Sequence, residues 1–270
     1  MNRRAERTRR LMDERRICVV VPTYNNASTL GAVLSRILTY TDAVIVVNDG
    51  SDDGTADILN TFSGTVHVEN HTTNKGKGAA LMTGFGAARR MGYRYAITID
   101  SDAQHFPEDI PAMVEFNCRF PTHIIVGQRD MNARNMPGKN TFANKFSNFW
   151  FYVQTGTRLG DTQTGFRLYP LSAIYWPRCI TSRYEAELEV LVYARWHGIN
   201  VVPAPIRVYY APQNQRISHF RPTLDFARIS MLNTVLCFFT VVYAWPVRLW
   251  RVIFCRKGGG GTSLSVNHVV

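Results

Sequence analysis

Tyr95-Ala96-Ile97-Thr98-Ile99 runs without a break into Asp100-Ser101-Asp102-Ala103-Gln104. The first five residues read as a buried strand, so the two carboxylates behind them fall at its carboxyl end. The same arrangement occurs twice upstream. Ile17 to Val21 opens into Pro22-Thr23-Tyr24-Asn25-Asn26, and Ala43 to Val47 opens into Asn48-Asp49-Gly50-Ser51-Asp52-Asp53-Gly54-Thr55. Between these runs Leu30, Val33, Leu34, Ile37 and Leu38 recur at helical spacing, with Ser28 expected as the cap. Thr65 to Val68 predicts a shorter strand, Lys75 to Met91 an Ala- and Gly-rich helix, Pro107 to Cys118 a helix opened by proline, and His123 to Val126 a further strand. Short apolar strands alternating with helices predict an α/β fold, its mostly parallel sheet covered on both faces. Ligands of such sheets bind beyond the carboxyl ends of the strands, where all three polar clusters fall.

Beyond residue 130 the pattern loosens into a polar stretch, an aromatic run from Phe142 to Tyr152, and Asp161 to Arg167. Tyr184 to Trp196 has helical spacing, whereas Ile199 to Tyr210, broken by Pro203 and Pro205, reads as an irregular or edge strand. The expected organisation is a basic N-terminal arm (1–16), a folded domain (17–221), a basic and apolar segment (222–257) and a disordered tail (258–270) that begins with four glycines.

With 270 residues, 46% of them apolar and 19% charged, the chain can bury a sizeable core, which excludes a disordered chain, a disulfide-stapled mini-protein and a multispan membrane protein. Five dispersed cysteines without paired metal spacing read as reduced thiols of a cytosolic protein. The net charge of +11 is concentrated at the ends, +4 in residues 1–16 and +6 in residues 216–257, leaving +1 between them. That distribution argues against a nucleic-acid partner and for an anionic membrane surface. The 19 residues from Ile229 to Val247 carry no charge and are bracketed by Arg228 and Arg248. As a helix they reach about 28 Å, enough to cross a bilayer, yet Ser230, Asn233, Thr234 and Thr240 and the flanking cations suit an interfacial helix equally; a buried helix is the third possibility.

Carboxylates at Asp100 and Asp102, with the amide oxygen of Gln104, are hard ligands for Mg²⁺ or Mn²⁺ in company with substrate phosphates. His105 beside them reads as solvent-facing or structural rather than as a metal ligand. Asp49 can reach a ligand from its turn, and Pro22, Tyr24 and the following asparagines offer a ring and amides to a base and ribose. Lys75-Gly76-Lys77-Gly78 allows close backbone approach and supplies cations for phosphate, but it lacks phosphate-loop spacing, which excludes ATPase chemistry of that type.

These motifs in this order resemble the inverting family 2 glycosyltransferases, and within them the dolichyl- or polyprenyl-phosphate mannose synthase branch. The resemblance rests on Val20-Val21-Pro22-Thr23-Tyr24-Asn25, Val47-Asn48-Asp49-Gly50-Ser51-x-Asp53-Gly54-Thr55, Asn74-x-Gly76-x-Gly78, Asp100-Ser101-Asp102-x-Gln104 and Asp161-x-x-Thr164-Gly165-Phe166-Arg167. It implies a GT-A (Rossmann-like) fold, a nucleotide-diphosphate sugar donor, and Mg²⁺ or Mn²⁺ held by Asp102 and Gln104. On the same grounds Pro22, Tyr24 and Asp49 hold the nucleoside, Asp100 lies by the ribose or sugar, and Lys75 and Gly78 meet the donor. Arg129 meets the acceptor phosphate, Asp161, Gln163 and Arg167 line the sugar and acceptor side, and Arg216 and Ser218 close over the diphosphate. Asn26 stands where many relatives have Glu, and His219 where the late loop usually has Lys.

A hydroxyl acceptor requires a general base, for which Asp161 and Glu187 are the candidates; a phosphate acceptor is already ionised and needs none. The expected activity is hexosyl transfer to a polyprenyl phosphate or another lipid-linked acceptor at the cytoplasmic face of a membrane, by a peripheral or single-segment anchored enzyme. Transfer to a glycan hydroxyl is the alternative within the family, and a membrane-anchored nucleotide-sugar binder without turnover the alternative outside enzymes. A sugar nucleotidyltransferase would carry a Gly-rich, Arg-containing loop after the first strand, which Pro22 to Asn26 does not supply.

Overall fold

The computed structural model describes residues 3–129, 138–172, 181–209 and 222–247. In chain order the elements are α1 (Arg3–Arg15), β1 (Ile17–Thr23), α2 (Ala27–Ile37), β2 (Val44–Asn48), α3 (Thr55–Thr61), β3 (His67–Asn70), α4 (Lys77–Arg90) and β4 (Tyr95–Thr98). There follow α5 (Ile110–Arg119), β5 (Ile124–Arg129), α6 (Gly138–Thr155), β6 (Arg167–Pro170), α7 (Ala186–Trp196), β7 (Val201–Ile206) and α8 (Pro222–Phe239), which continues into one wider π turn, Thr240–Ala244. Seven strands form one sheet in the order β3-β2-β1-β4-β6-β5-β7. All pairings are parallel except those of β6, which runs antiparallel to both β4 and β5.

The alternation of strand and helix thus produces the expected mostly parallel sheet, and β1, β2 and β4 are buried along their whole length because both their faces are covered. One core cluster lies on each face. Met12, Leu30, Leu34, Ile37, Ile110 and Met113 pack under one, and Phe85, Phe151, Tyr169, Leu191, Trp196 and Leu236 under the other. β7 is an edge strand, consistent with Pro203 and Pro205 within it.

The antiparallel insertion of β6 positions the site. Arg167 pairs with Thr98 near the end of β4 and with Val126 on β5, so the chain entering β6 from Asp161 arrives at the same rim as the carboxyl ends of the parallel strands.

Three local expectations are corrected. Residues 3–15 are a helix rather than an arm, with Ala5, Thr8 and Met12 buried, and Arg15 bonds the Asn117 side chain at 2.8 Å through its Nε. The strand expected at Thr65 to Val68 lies at His67–Asn70, in register with β2. Ser28 lies inside α2, whose first amide, that of Ala27, donates instead to Asp53 Oδ2 from the neighbouring loop at 3.0 Å. Burial against a partner element decides each of these, and local composition does not contain it.

Candidate active site

The loops after β1, β2 and β4 are stitched to one another by their own side chains. Asn25 ties the first loop to the second: its backbone N–H donates to Ser51 Oγ (3.0 Å), its Nδ2 to Asp52 Oδ1 (2.7 Å), and its Oδ1 accepts from the Asp52 amide (3.0 Å). Asn26 Nδ2 donates to Ser101 Oγ at 3.0 Å, and that hydroxyl donates to the Pro22 carbonyl at 3.2 Å. Pro22 is buried at the end of β1, and Tyr24 is half-buried in the loop directly behind it.

Asp49 is committed inside the protein. Its Oδ1 accepts from His71 Nδ1 (2.6 Å) and the Lys75 amide (2.9 Å), and its Oδ2 from the Gly76 amide (2.8 Å). A carboxylate only accepts, so His71 carries its proton on Nδ1, and its Nε2 accepts from the Thr83 hydroxyl at 2.9 Å. With these bonds Asp49 shapes the glycine loop, in which Gly76 sits at φ +98°. In that loop Lys75 is exposed, whereas Gly78 is buried, and a Cβ there would fall 2.5 Å from the Ala186 Cβ, so Gly78 allows the close contact between α4 and the start of α7.

Lys77, from the first turn of α4, lies between two carboxylates, 2.8 Å from Asp100 Oδ1 and 2.9 Å from Glu187 Oε2. Burial disfavours its charge, but the two anions outweigh that and hold it protonated. Asp100 in turn, although burial pushes it up, is held below the usual carboxylate range chiefly by Lys77 and further by Arg167. Lys77 acts on Asp102 as well, but burial together with the charge of Asp100 outweighs it and pushes Asp102 up to about 6. His105 is buried and stacked on Phe166, and burial lowers it to about 4, leaving it neutral. Gly165 closes the far side of the pair: a Cβ there would lie 2.2 Å from Asp100 Oδ2 and 2.7 Å from Lys77 Nζ.

At the start of the chain entering β6, Asp161, fully buried, is paired with Arg129 through both Nε and Nη2, the latter at 2.9 Å, and also accepts from the Gln163 amide at 3.1 Å. Arg167 does not join them at the rim: it is fully buried and donates to the carbonyls of Thr164 (2.7 Å), Thr162 (2.9 Å) and Glu187 (2.7 Å). Its work is to hold the Asp161 loop against α7. Arg216 and Ser218 lie outside the described residues.

A nucleoside-side rim, an acidic pair at the end of β4 and an antiparallel strand returning an Asp-Arg pair to the same edge agree with a sequence pattern that matches residues 18–188, described as glycosyl transferase family 2. The chain belongs to this family. Among its relatives, UDP-N-acetylglucosamine--dolichyl-phosphate N-acetylglucosaminyltransferase of Methanococcus voltae is 28% identical over 220 residues, covering 74% of this chain and 88% of the relative. Polyprenol monophosphomannose synthase of Mycolicibacterium smegmatis is 28% identical over 203 residues, covering 71% and 76% respectively. Glucosyl-3-phosphoglycerate synthase from Mycobacterium tuberculosis, solved with Mn²⁺, uridine-diphosphate-glucose and phosphoglyceric acid, superposes with a TM-score of 0.62 at 18% identity, over 87% of this chain and 83% of that one. That likeness establishes a shared fold, the GT-A fold.

The residues of this family 2 glycosyltransferase fit a divalent cation. Asp102 accepts from the Gln104 amide at 3.0 Å through Oδ1, and burial together with the charge of Asp100 outweighs that bond and the charge of Lys77, so the acidic pair has room for a cation's charge. Among the described residues no group of three or more His, Cys, Asp or Glu forms a complete cage, in keeping with a hard cation whose shell a diphosphate completes. Two members of the transferase site were not singled out from sequence. Lys77 was grouped with Lys75 as a phosphate cation, and its spacing four residues before Leu81 on the buried face of α4 was the available signal. For His71 the sequence holds no signal, because its partners Asp49 and Thr83 meet it only through the β2–β3 register.

Proposed function

We propose that this glycosyltransferase moves a hexosyl group from a nucleotide-diphosphate sugar to a polyprenyl phosphate, with inversion and with Mg²⁺ or Mn²⁺, at the cytoplasmic face of a membrane. The observation that carries the choice of acceptor is the state of the two candidate bases. Asp161 is paired with Arg129 and Glu187 with Lys77, so each carboxylate that could take a proton from a hydroxyl is already engaged by a cation. A phosphate acceptor brings its own anionic oxygen. The relatives whose names specify dolichyl or polyprenol phosphate support the same reading.

In this mechanism the acceptor phosphate oxygen attacks the anomeric carbon from the side opposite the diphosphate, and the electron pair of the breaking bond leaves with the diphosphate. Pro22 and Tyr24 receive the nucleoside, and Lys75 is the cation exposed toward the donor. Lys77 keeps Asp100 ionised and in place beside the sugar, and Gln163 and Asp161 stand across from it. Arg129, its guanidinium plane fixed by Asp161, meets the acceptor phosphate. Arg216 and Ser218 are assigned to the diphosphate. Asp102 and Gln104 would hold a divalent cation, which when bound would stabilise the leaving charge.

Purified enzyme incubated with a panel of nucleotide sugars and Mn²⁺, with polyprenyl phosphate or with soluble glycans, is expected to release nucleoside diphosphate and form a lipid-linked sugar only in the first case. The anomeric configuration of the product, read by NMR, tests inversion. Transfer to glycan hydroxyls with lipid phosphate inert would replace the proposal by its in-family alternative, and no release from any donor would replace it by the binder.

A further inference from the structure

α8 is long and apolar enough to cross a membrane by length and composition. Its packing argues otherwise. Leu232, Asn233, Leu236, Thr240 and Ala244 are buried in a row against the protein, and Leu232, Leu236 and Ala244 share a core cluster with Phe151 of α6 and Trp196 of α7. The row advances four residues at a time, which on an α-helix drifts around the surface; the π turn at Thr240–Ala244 widens the helix and keeps the row on one side. A buried amide contact locks it: Gln154 Nε2 donates to Asn233 Oδ1 at 3.0 Å.

A helix attached to the catalytic domain from residue 232 to 244, about 18 Å of its length, cannot stand upright in a bilayer without drawing α6 and α7 into the hydrocarbon. Exposed Lys145, Arg158 and His197 would go with them. The opposite side of α8 exposes Met231 (73%), Phe238 (63%), Val242 (58%), Val241, Tyr243 and Trp245, and α6 beside it exposes Phe149 and Tyr152, with Arg158 stacked over the Tyr152 ring. α8 carries one acid, Asp225 near its start; from there to residue 270 the chain holds five Lys or Arg and no Asp or Glu, and residues 131–160 hold four Lys or Arg and no acid. An apolar surface with aromatic edges and mainly cationic company matches an anionic lipid surface.

We infer that α8 lies in the plane of an anionic membrane and that α6 supplies the second half of the same docking face, so that the enzyme enters one leaflet and crosses nothing. This rests on the lipid-phosphate reading above and adds how the active site is held at that lipid. The test uses the full chain and vesicles of phosphatidylcholine with or without phosphatidylglycerol. Flotation should bring the protein up with the anionic vesicles, and Phe238→Ser and, from α6, Phe149→Ser should each weaken binding about tenfold. Trp245 fluorescence should be quenched by lipids brominated near the headgroup. In sealed vesicles an impermeant maleimide added outside should label both Cys118, exposed on α5, and Cys255, beyond the helix. Labelling of Cys118 with Cys255 protected would show a crossing and overturn the inference, as would a Phe149→Ser protein that binds like the parent, or a stable dimer that ignores vesicles. Transfer to a water-soluble ten-carbon prenyl phosphate separates the two proposals. Retained transfer without vesicle binding sinks the docking face and spares the reaction, and vesicle binding without transfer does the reverse.

Discussion

The two flanks of this site are built from different materials. On the flank proposed for the donor, polar side chains from the loops after β1, β2 and β4 satisfy one another: Asn25 with Ser51 and Asp52, Asn26 with Ser101, Asp49 with His71 and the Lys75 and Gly76 amides. On the flank proposed for the acceptor lies one Arg129–Asp161 pair, and α6, which exposes Phe149 and Tyr152, bonds the Gly160 carbonyl beside Asp161 through Asn148 at 2.7 Å. A donor of fixed shape rewards a rim organised before it binds, because its ordering cost has already been met in folding. A long lipid presented by a fluid surface rewards apolar area, which is non-directional.

The largest way to break this contrast is at its charge centre. Asp102→Asn should lower turnover by on the order of 10³-fold, since the cation's anchor is lost. The fold should be no weaker for it: a carboxyl raised to about 6 is ionised at pH 7 at a cost to the folded state, and the amide removes that cost. An inactive protein that melts at or above the parent temperature is the expected pair of results. Lys77→Met should do the opposite, leaving Asp100 and Glu187 buried without their cation and costing about 3–5 kcal/mol, on the order of 10 °C in melting temperature.

Gly165→Ala sharpens the distinction between room and charge. Its Cβ meets Asp100 and Lys77, so a loss of about 1–3 kcal/mol is expected with every charged group still present. On the other flank, Arg129→Lys keeps the charge but loses the two-point hold of Asp161; about a tenfold rise in KM for the lipid phosphate, with KM for the sugar donor unchanged, is the expected split. The smallest effect lies away from both. Arg36 holds Glu108 below the ordinary carboxylate range, so the pair stabilises the fold at neutral pH and that contribution is lost as pH falls through the depressed value. Both side chains are about a third exposed, so Glu108→Gln should cost about 0.5 kcal/mol at pH 7, as measured by urea unfolding, and nothing once the parent carboxyl is protonated.

Much of this was legible in residues 17 to 129 because β1, β2 and β4 are carried by short apolar runs and each polar loop begins where the run stops; that is local information. The acidic pair and the edge character of β7 were read the same way. The internal contacts of Asp49, Gly78 and Arg167 were not, and the reason is common to them. Each is a polar or small residue in a motif at the rim, and which way it serves depends on groups far away in sequence: His71 for Asp49, Ala186 for Gly78, and the Glu187 carbonyl for Arg167.

By itself, then, the sequence determined the alternating architecture, the rim at which chemistry can occur and the family of the enzyme, since period, turn residues and motif order are properties of neighbours along the chain. Only the tertiary structure decided that β6 runs backwards to return Asp161 to that rim, that Lys77 belongs to two carboxylates instead of a phosphate, and that one side of α8 is already occupied by protein. Those outcomes depend on burial and charge pairing across tens of residues, where the free energy of a contact is set by what surrounds it and not by what adjoins it in the chain.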